Sequence, residues 1–257
     1  MAARRRTTGR TEPTERRSGR PAPRPGAAGV AFFDFDNTLI SGDAGPLFGR
    51  SLFAARLHER SLLGRARLRA RYLPYILWMG LQAGLYKVRA RRRSSLVRSA
   101  YRGLKGVPVA EFNGLLAAFV DREVPGLVYP QMRAVIEDHL AAGRRCVIIT
   151  TGMEPLVVGA ARHLPPGVEV IGCRLLERKG KLTGKVVGPL FGVDKANILD
   201  AYCRAIGAAP ADCWAYSDHV SDRQMLEAVG HGVAVNPKGR FRRLAARNHW
   251  QVLTPKL

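Results

Sequence analysis

The stretch AFFDFDNTLISGD, residues 31–43, places two aspartates, Asp34 and Asp36, one residue apart at the end of an apolar run. In a strand, alternate residues face the same way. Two carboxylates on one side repel each other and lose solvation unless a cation or a proton settles their charge. Stability alone gives little reason for that pairing, so the rest of the chain must supply what settles it.

The surrounding pattern reads as an α/β protein. GVAFFDF (29–35) has the form of a buried parallel strand broken by Asp at its C-terminal end. From about 46 to 122 the pattern is helical and rich in Leu, Ala and Arg, with breaks at Pro74 and near Gly106–Pro108. Then come a helix over 131–143, a buried strand CVIIT (146–150), a helix over 154–164 and a strand over 168–176. KGKLTGKVVG (179–188) reads as a hairpin with turns at its glycines. A helix over 194–207, the strand CWAYSD (213–218), a helix over 221–230 and a last strand GVAVN (232–236) follow. Strands alternating with helices predict a Rossmann-like parallel sheet. The helical block interrupts that sheet after its first strand. The expected organisation is therefore a core of 27–45 and 124–257, an inserted helical cap over 46–123, and a disordered basic tail over 1–26.

Composition supports this division. The 257 residues are 46% hydrophobic, enough for one substantial core or a core plus a smaller domain. The net charge of +22 is concentrated in two blocks. Residues 1–26 hold eight arginines and two glutamates, and residues 48–105 hold fifteen Lys/Arg and one acid, Glu59. Such charge attracts phosphate-rich partners without dictating a fold. The tail has no apolar segment of the kind a secretory signal needs, and it reads as solvated, with nucleic-acid or membrane contact the minority reading. The longest uncharged run, YLPYILWMGLQAGLY (72–86), has 15 residues, short of the roughly 20 that span a bilayer. It reads as a buried cap helix or helix pair, with peripheral contact to anionic lipid as the alternative. Cys146, Cys173, Cys203 and Cys213 form no CxxC pair, and they read as reduced thiols of a cytoplasmic protein rather than zinc ligands.

Ligands of open parallel sheets bind beyond the C-terminal strand ends. Three predicted strands end in reactive side chains: Asp34–Thr38, Thr150–Gly152, and the run SDHVSD from Ser217 to Asp222. Lys195 opens the helix before the last of them. Together they offer one crevice several carboxylates, a hydroxyl and an ammonium. Hard oxygen donors in that number suit Mg²⁺, which typically takes one or two carboxylates plus waters and substrate phosphate.

DxDxT at Asp34–Thr38, IITTG ending in Thr150 and Thr151, Lys195, and SDHVSD resemble, in order and spacing, the four motifs of the haloacid dehalogenase (HAD) superfamily of phosphohydrolases. The position of the cap and the sequence EPLV…RL…GKLTG resemble its phosphoserine-phosphatase-like branch, subfamily IB. The resemblance implies the HAD fold with a C1-type helical cap, and a Mg²⁺-dependent phosphomonoesterase working through an aspartyl-phosphate. It implies that Asp34 is the nucleophile and Asp36 the general acid and then base. Mg²⁺ would be held by Asp34, Asp218 and the Asp36 carbonyl. Thr150, or Thr151 in its place, would bind the phosphate, Lys195 would neutralise charge, and Asp222 would support Lys195 or a metal-bound water.

The chain departs from that pattern in places. Ser217 stands where many relatives have glycine, and His219 where a small residue is usual. Asp43 stands where phosphoserine phosphatases hold the substrate amine with a glutamate. The position of their carboxylate-binding cap arginine falls on Ala100, flanked by Arg98 and Arg102. The expected substrate is a small phosphorylated molecule. Two alternatives stand beside it: a lipid-linked or polyanionic phosphate ester, and a basic nucleic-acid or membrane-binding module with weak catalysis. Transfer to an acceptor other than water would use the same residues.

Overall fold

The computed structural model describes residues 29–58, 93–189 and 192–257, with isolated positions between 61 and 81. The basic tail lies outside the described residues, as does most of the 72–86 run. The chain runs β1 (Val30–Phe33), α1 (Ala44–His58), α2 (Arg93–Arg102), α3 (Val109–Glu123), α4 (Pro130–Ala141), β2 (Arg145–Met153), α5 (Glu154–Ala161), β3 (Val168–Arg178) and β4 (Lys181–Val187). It continues through α6 (Gly192–Ile206), β5 (Trp214–Ser217), α7 (Arg223–Glu227), β6 (His231–Val235), α8 (Gly239–Arg247) and β7 (Gln251–Leu253).

One seven-stranded sheet has the order β4-β3-β2-β1-β5-β6-β7. All neighbours are parallel except β3 and β4. The chain builds outward from β1 on one side, then returns to lay β5 against β1's other edge. The reversal between β1 and β5 opens a crevice at their C-terminal ends, the switch point where open α/β sheets bind ligands.

Period-two alternation explains why β1 is wholly apolar. Val30 and Phe32 pack with Val147, Ile149, Leu199, Met225 and Phe241 on the face covered by α6, α7 and α8. Ala31 and Phe33 pack with Ile148, Met132, Ile136 and Phe112 on the face covered by α3 and α4. A strand buried on both faces cannot carry polar residues until it leaves the sheet, and Asp34 is the first residue past its end.

Two predicted boundaries move. The hairpin does not fold within 179–188: β3 runs to Arg178, the turn is Lys179–Gly180, and β4 continues through Gly184. Gly184 is a contact residue, not a turn. Its φ is +74°, and a Cβ there would come within 3.1 Å of the Lys105 Cβ and 3.2 Å of the Arg102 Cα. Only glycine lets the hairpin lie this close to the end of α2. GVAVN is also not the last strand, since α8 and β7 follow it and extend the sheet.

Behind the sheet, α4 buries His139 against Tyr216 and Trp214. Its Nδ1 faces the Arg144 guanidinium at 3.3 Å. Arginine can only donate, so Nδ1 accepts and the proton sits on Nε2, which donates to the Tyr216 hydroxyl at 2.8 Å. Burial, with Arg144 alongside, lowers the His139 pKa to about 4. The unfolded chain takes up this proton as the pH falls below about 6.5, whereas the folded chain resists it until about 4. His139 therefore contributes full stability above pH 6.5 and loses about 3 kcal/mol between there and pH 4. Urea unfolding at pH 7, 5.5 and 4 should show this decline, and His139→Gln should flatten it. An equally steep decline in the variant would assign the pH dependence elsewhere.

Candidate active site

The site forms where β1 and β5 end side by side. The Asp34 N–H donates to the Tyr216 carbonyl at 2.9 Å, carrying the β1–β5 pairing one residue past the strand. The Asp34 side chain then turns into the crevice. Its Oδ1 accepts from the Phe35 N–H at 2.8 Å and from Lys195 Nζ at 2.7 Å. Lys195 lies in the first turn of α6 and is 1% exposed. Its ammonium also donates to Asp222 Oδ2 at 2.7 Å. One buried cation thus bridges two buried carboxylates.

The electrostatics of this cluster do not balance on protein groups alone. Burial favours the neutral amine of Lys195, but Asp222 and Asp34 outweigh it and hold the lysine above its ordinary pKa. Asp222 is also opposed by burial, yet Lys195 and its hydrogen bonds bring it down to about 2. Asp34 goes the other way: burial raises it well above the carboxylate range, and Asp222 and Asp218 add to the rise against the pull of Lys195. One ammonium cannot settle three acidic side chains, so a negative charge on Asp34 is disfavoured. A hard divalent cation beside Asp34 would favour its carboxylate form. Among the described residues no group of three or more His, Cys, Asp or Glu is arranged as a metal cage. Mg²⁺ needs no such cage, and a donor set of Asp34, Asp218 and the Asp36 carbonyl fits its chemistry.

Asp36 is held differently. Its Oδ1 accepts from the Ala44 N–H at 2.8 Å, at the N-terminus of α1. A helix N-terminus stabilises a carboxylate there. Asp36 Oδ2 faces Gly152, at whose position a Cβ would lie 3.8 Å from that oxygen and 3.2 Å from Thr150 Oγ1. The loop between is folded by Asn37, in left-handed conformation with φ 56°. Its side chain accepts from the Gly42 N–H at 3.1 Å and donates to Asp43 Oδ1 at 2.9 Å.

Thr150 sits where the β2–β3 register breaks between Ile149 and Met153. Such irregularities re-aim side chains at sheet edges. Thr150 is buried, and its hydroxyl accepts from the Gly152 N–H at 2.9 Å, leaving the hydroxyl proton for an acceptor in the crevice. Thr151 is placed otherwise: its carbonyl accepts from the Tyr101 hydroxyl at 3.0 Å.

The structure therefore brings Asp34, Lys195 and Asp222 into contact, with Asp218 close enough to act on the charge of Asp34, and gathers Asp36 and Thr150 around Gly152. The substrate-side residues differ. Asp43 is exposed and engaged by Asn37, while Arg98 and Arg102 of α2 are exposed. His219 does not point a lone pair at the crevice, because its Nδ1 accepts from the Ser221 N–H at 3.1 Å. Two contributors were missed. Ser217 is buried and donates to Asp222 Oδ2 at 2.9 Å, so the serine in place of glycine positions Asp222. Tyr101 ties α2 to the Thr151 carbonyl; its neighbour Ala100, where an arginine was sought, was the available signal.

This fold and this arrangement are those of a known class. A profile of haloacid dehalogenase-like hydrolases matches residues 31–227, and the chain belongs to that family. It is an enzyme of that family, and curated relatives carry phosphatase names. It is similar to a "probable phosphatase" of Mycobacterium tuberculosis, 30% identical over 230 residues that make up 90% of this chain and 76% of the relative. It is also similar to a phosphoserine phosphatase of the same organism, 32% identical over 226 residues, 87% of this chain and 70% of the relative. A solved structure of a phospho-aspartyl intermediate analogue of phosphoserine phosphatase shares the fold, with a TM-score of 0.60 at 18% identity over 90% of this chain and 95% of the other. Among the described residues no helix is long and apolar enough to cross a membrane.

Proposed function

We propose that the protein is a Mg²⁺-dependent phosphomonoesterase of the phosphoserine-phosphatase-like type that works through an aspartyl-phosphate. The observation that carries this reading is the buried Asp34–Lys195–Asp222 cluster, in which one ammonium bridges two carboxyl groups and leaves the charge of Asp34 incompletely balanced. The phosphoserine phosphatase relative and the phospho-aspartyl analogue support it.

Asp34 Oδ1 is occupied by two donors, so Oδ2 is assigned as the attacking oxygen. Its lone pair forms a bond to phosphorus as the bond from phosphorus to the ester oxygen breaks. Asp36 protonates the departing alkoxide, then takes a proton from the water that attacks the same phosphorus and releases Asp34. Lys195 and Thr150 hold phosphoryl oxygens, and Asp222 with Ser217 fixes Lys195. Mg²⁺, held by Asp34, Asp218 and the Asp36 carbonyl, would supply charge stabilisation for the phosphoryl group. The helices between β1 and β2 would act as a cap, with Tyr101 as one of its points of contact with the core. Arg98 and Arg102 are the cations of α2 assigned to meet a substrate.

Phosphate release should be measured over a panel of phosphoserine, sugar phosphates and phosphatidic acid, with Mg²⁺ and with EDTA. Release from at least one ester is expected with Mg²⁺, falling by at least about a hundredfold in EDTA. Release unaffected by EDTA would remove the metal from the scheme. No release from any ester by folded protein would count against the phosphatase reading.

A further inference from the structure

Four leucines between α1 and α2 are helical and open to water: Leu63 is 72% exposed, Leu73 52%, Leu77 65% and Leu81 59%. With Ala66 and Ala70, also helical and exposed, they recur every three or four residues. Residues so spaced within a helix share a face. Scattered exposed leucines need no explanation, but a row of them marks a surface that meets something apolar.

The charge around this row says what that something is. Residues 48–105 carry fifteen Lys/Arg against one acid. Within them, residues 72–86 are uncharged and contain Tyr72, Tyr75, Trp78 and Tyr86. Arginines bound this run on one side from Arg65 to Arg71, and Lys87 to Arg93 bound it on the other. Too short to span a bilayer, it has the composition of a segment lying in a bilayer's interface. At such an interface leucine favours the acyl boundary, aromatic residues the headgroup level, and arginine the lipid phosphates.

We propose that the segment between α1 and α2 docks the protein onto an anionic phospholipid bilayer. A second copy of the chain fits this face poorly, because it would bring an equally dense set of cations against the first. Nucleic acid would satisfy the arginines but leave the leucines in water. The two helices that bracket the segment reach the site: α1 begins at the Asp36 carboxylate, and Tyr101 of α2 bonds the Thr151 carbonyl. Docking therefore holds the site near the lipid surface. The inference does not depend on which reaction the site performs.

The test is flotation of the full chain with vesicles of phosphatidylcholine alone and with about one-third phosphatidylglycerol, at low and high salt. The protein is expected to float with the anionic vesicles only. The Leu73→Ser/Leu77→Ser/Leu81→Ser variant should bind at least about tenfold more weakly while keeping the wild-type circular dichroism. Two results would overturn the proposal: no flotation with anionic vesicles at low salt, or equal flotation of the folded triple variant, which would reduce the contact to arginine electrostatics. Leucine-dependent self-association without vesicle binding would instead assign the face to a second copy.

Discussion

Asp34→Asn is expected to lower phosphate release by roughly four orders of magnitude or more while leaving the protein as stable as before. The loss follows from the proposed chemistry: an amide oxygen cannot displace an alkoxide from phosphorus at a useful rate. The retained stability follows from the electrostatics. Burial, Asp222 and Asp218 all disfavour a charged Asp34, and Lys195 is the neighbouring charge that favours it. A neutral side chain of the same shape gives up that one attraction and escapes the rest. The unfolding midpoint should therefore match or exceed that of the wild type, as at other sites where function strains the fold. Phosphate release and urea unfolding on the same preparation check both halves. Substantial turnover in the folded variant would remove Asp34 from the reaction.

Lys195→Met should have the opposite signature, losing activity and stability together. Methionine fills a similar volume but supplies no charge, leaving Asp34 and Asp222 facing each other in a buried site. Removing one partner of a buried ion pair costs about 3–5 kcal/mol, because the other charge is left uncompensated. Asp222 sits at about pKa 2 largely because Lys195 opposes its burial, so it suffers most. Adding Asp222→Asn to Lys195→Met should recover part of the lost stability without recovering activity. If Lys195→Met unfolds at the wild-type urea concentration, the ammonium is not what balances the cluster.

These residues differ in how legible they were. Asp34 and Asp36 stood out because an apolar strand buried on both faces has no other reason to end in acids. Lys195 was placed near the crevice by the helix it opens, but its role came only from the resemblance, since a lysine in the first turn of an amphipathic helix is ordinarily solvated. Its 1% exposure is a tertiary fact. Tyr101 was hidden for a related reason: a tyrosine in a helical pattern looks like packing, and its bond to Thr151 depends on how α2 lies across β2. Ser217 read as a mild replacement for glycine until its hydroxyl was found on Asp222. The glycines at 180 and 184 looked like two turns, but one makes the turn and the other lets α2 approach. Beyond Asn236 the pattern failed because α8 is so rich in arginine that its buried face reduces to Phe241 and Ala245, and β7 is three residues long.

The strand order also governs when the protein becomes chemically competent. Val30–Phe33 is synthesised early, yet its flanks are completed by strands that begin at residues 145 and 214. For most of its synthesis the chain carries Asp34 with neither Lys195 nor Asp218 yet made. On the proposed scheme a nascent chain is inert toward phosphate esters until β5 has filled the second edge of β1 and Asp218 and Asp222 have followed it. Until then an apolar strand waits for distant partners, the kind of pairing that folds slowly and leaves sticky surface exposed. In this architecture Asp34, the proposed nucleophile, is also among the residues that wait longest for a finished environment.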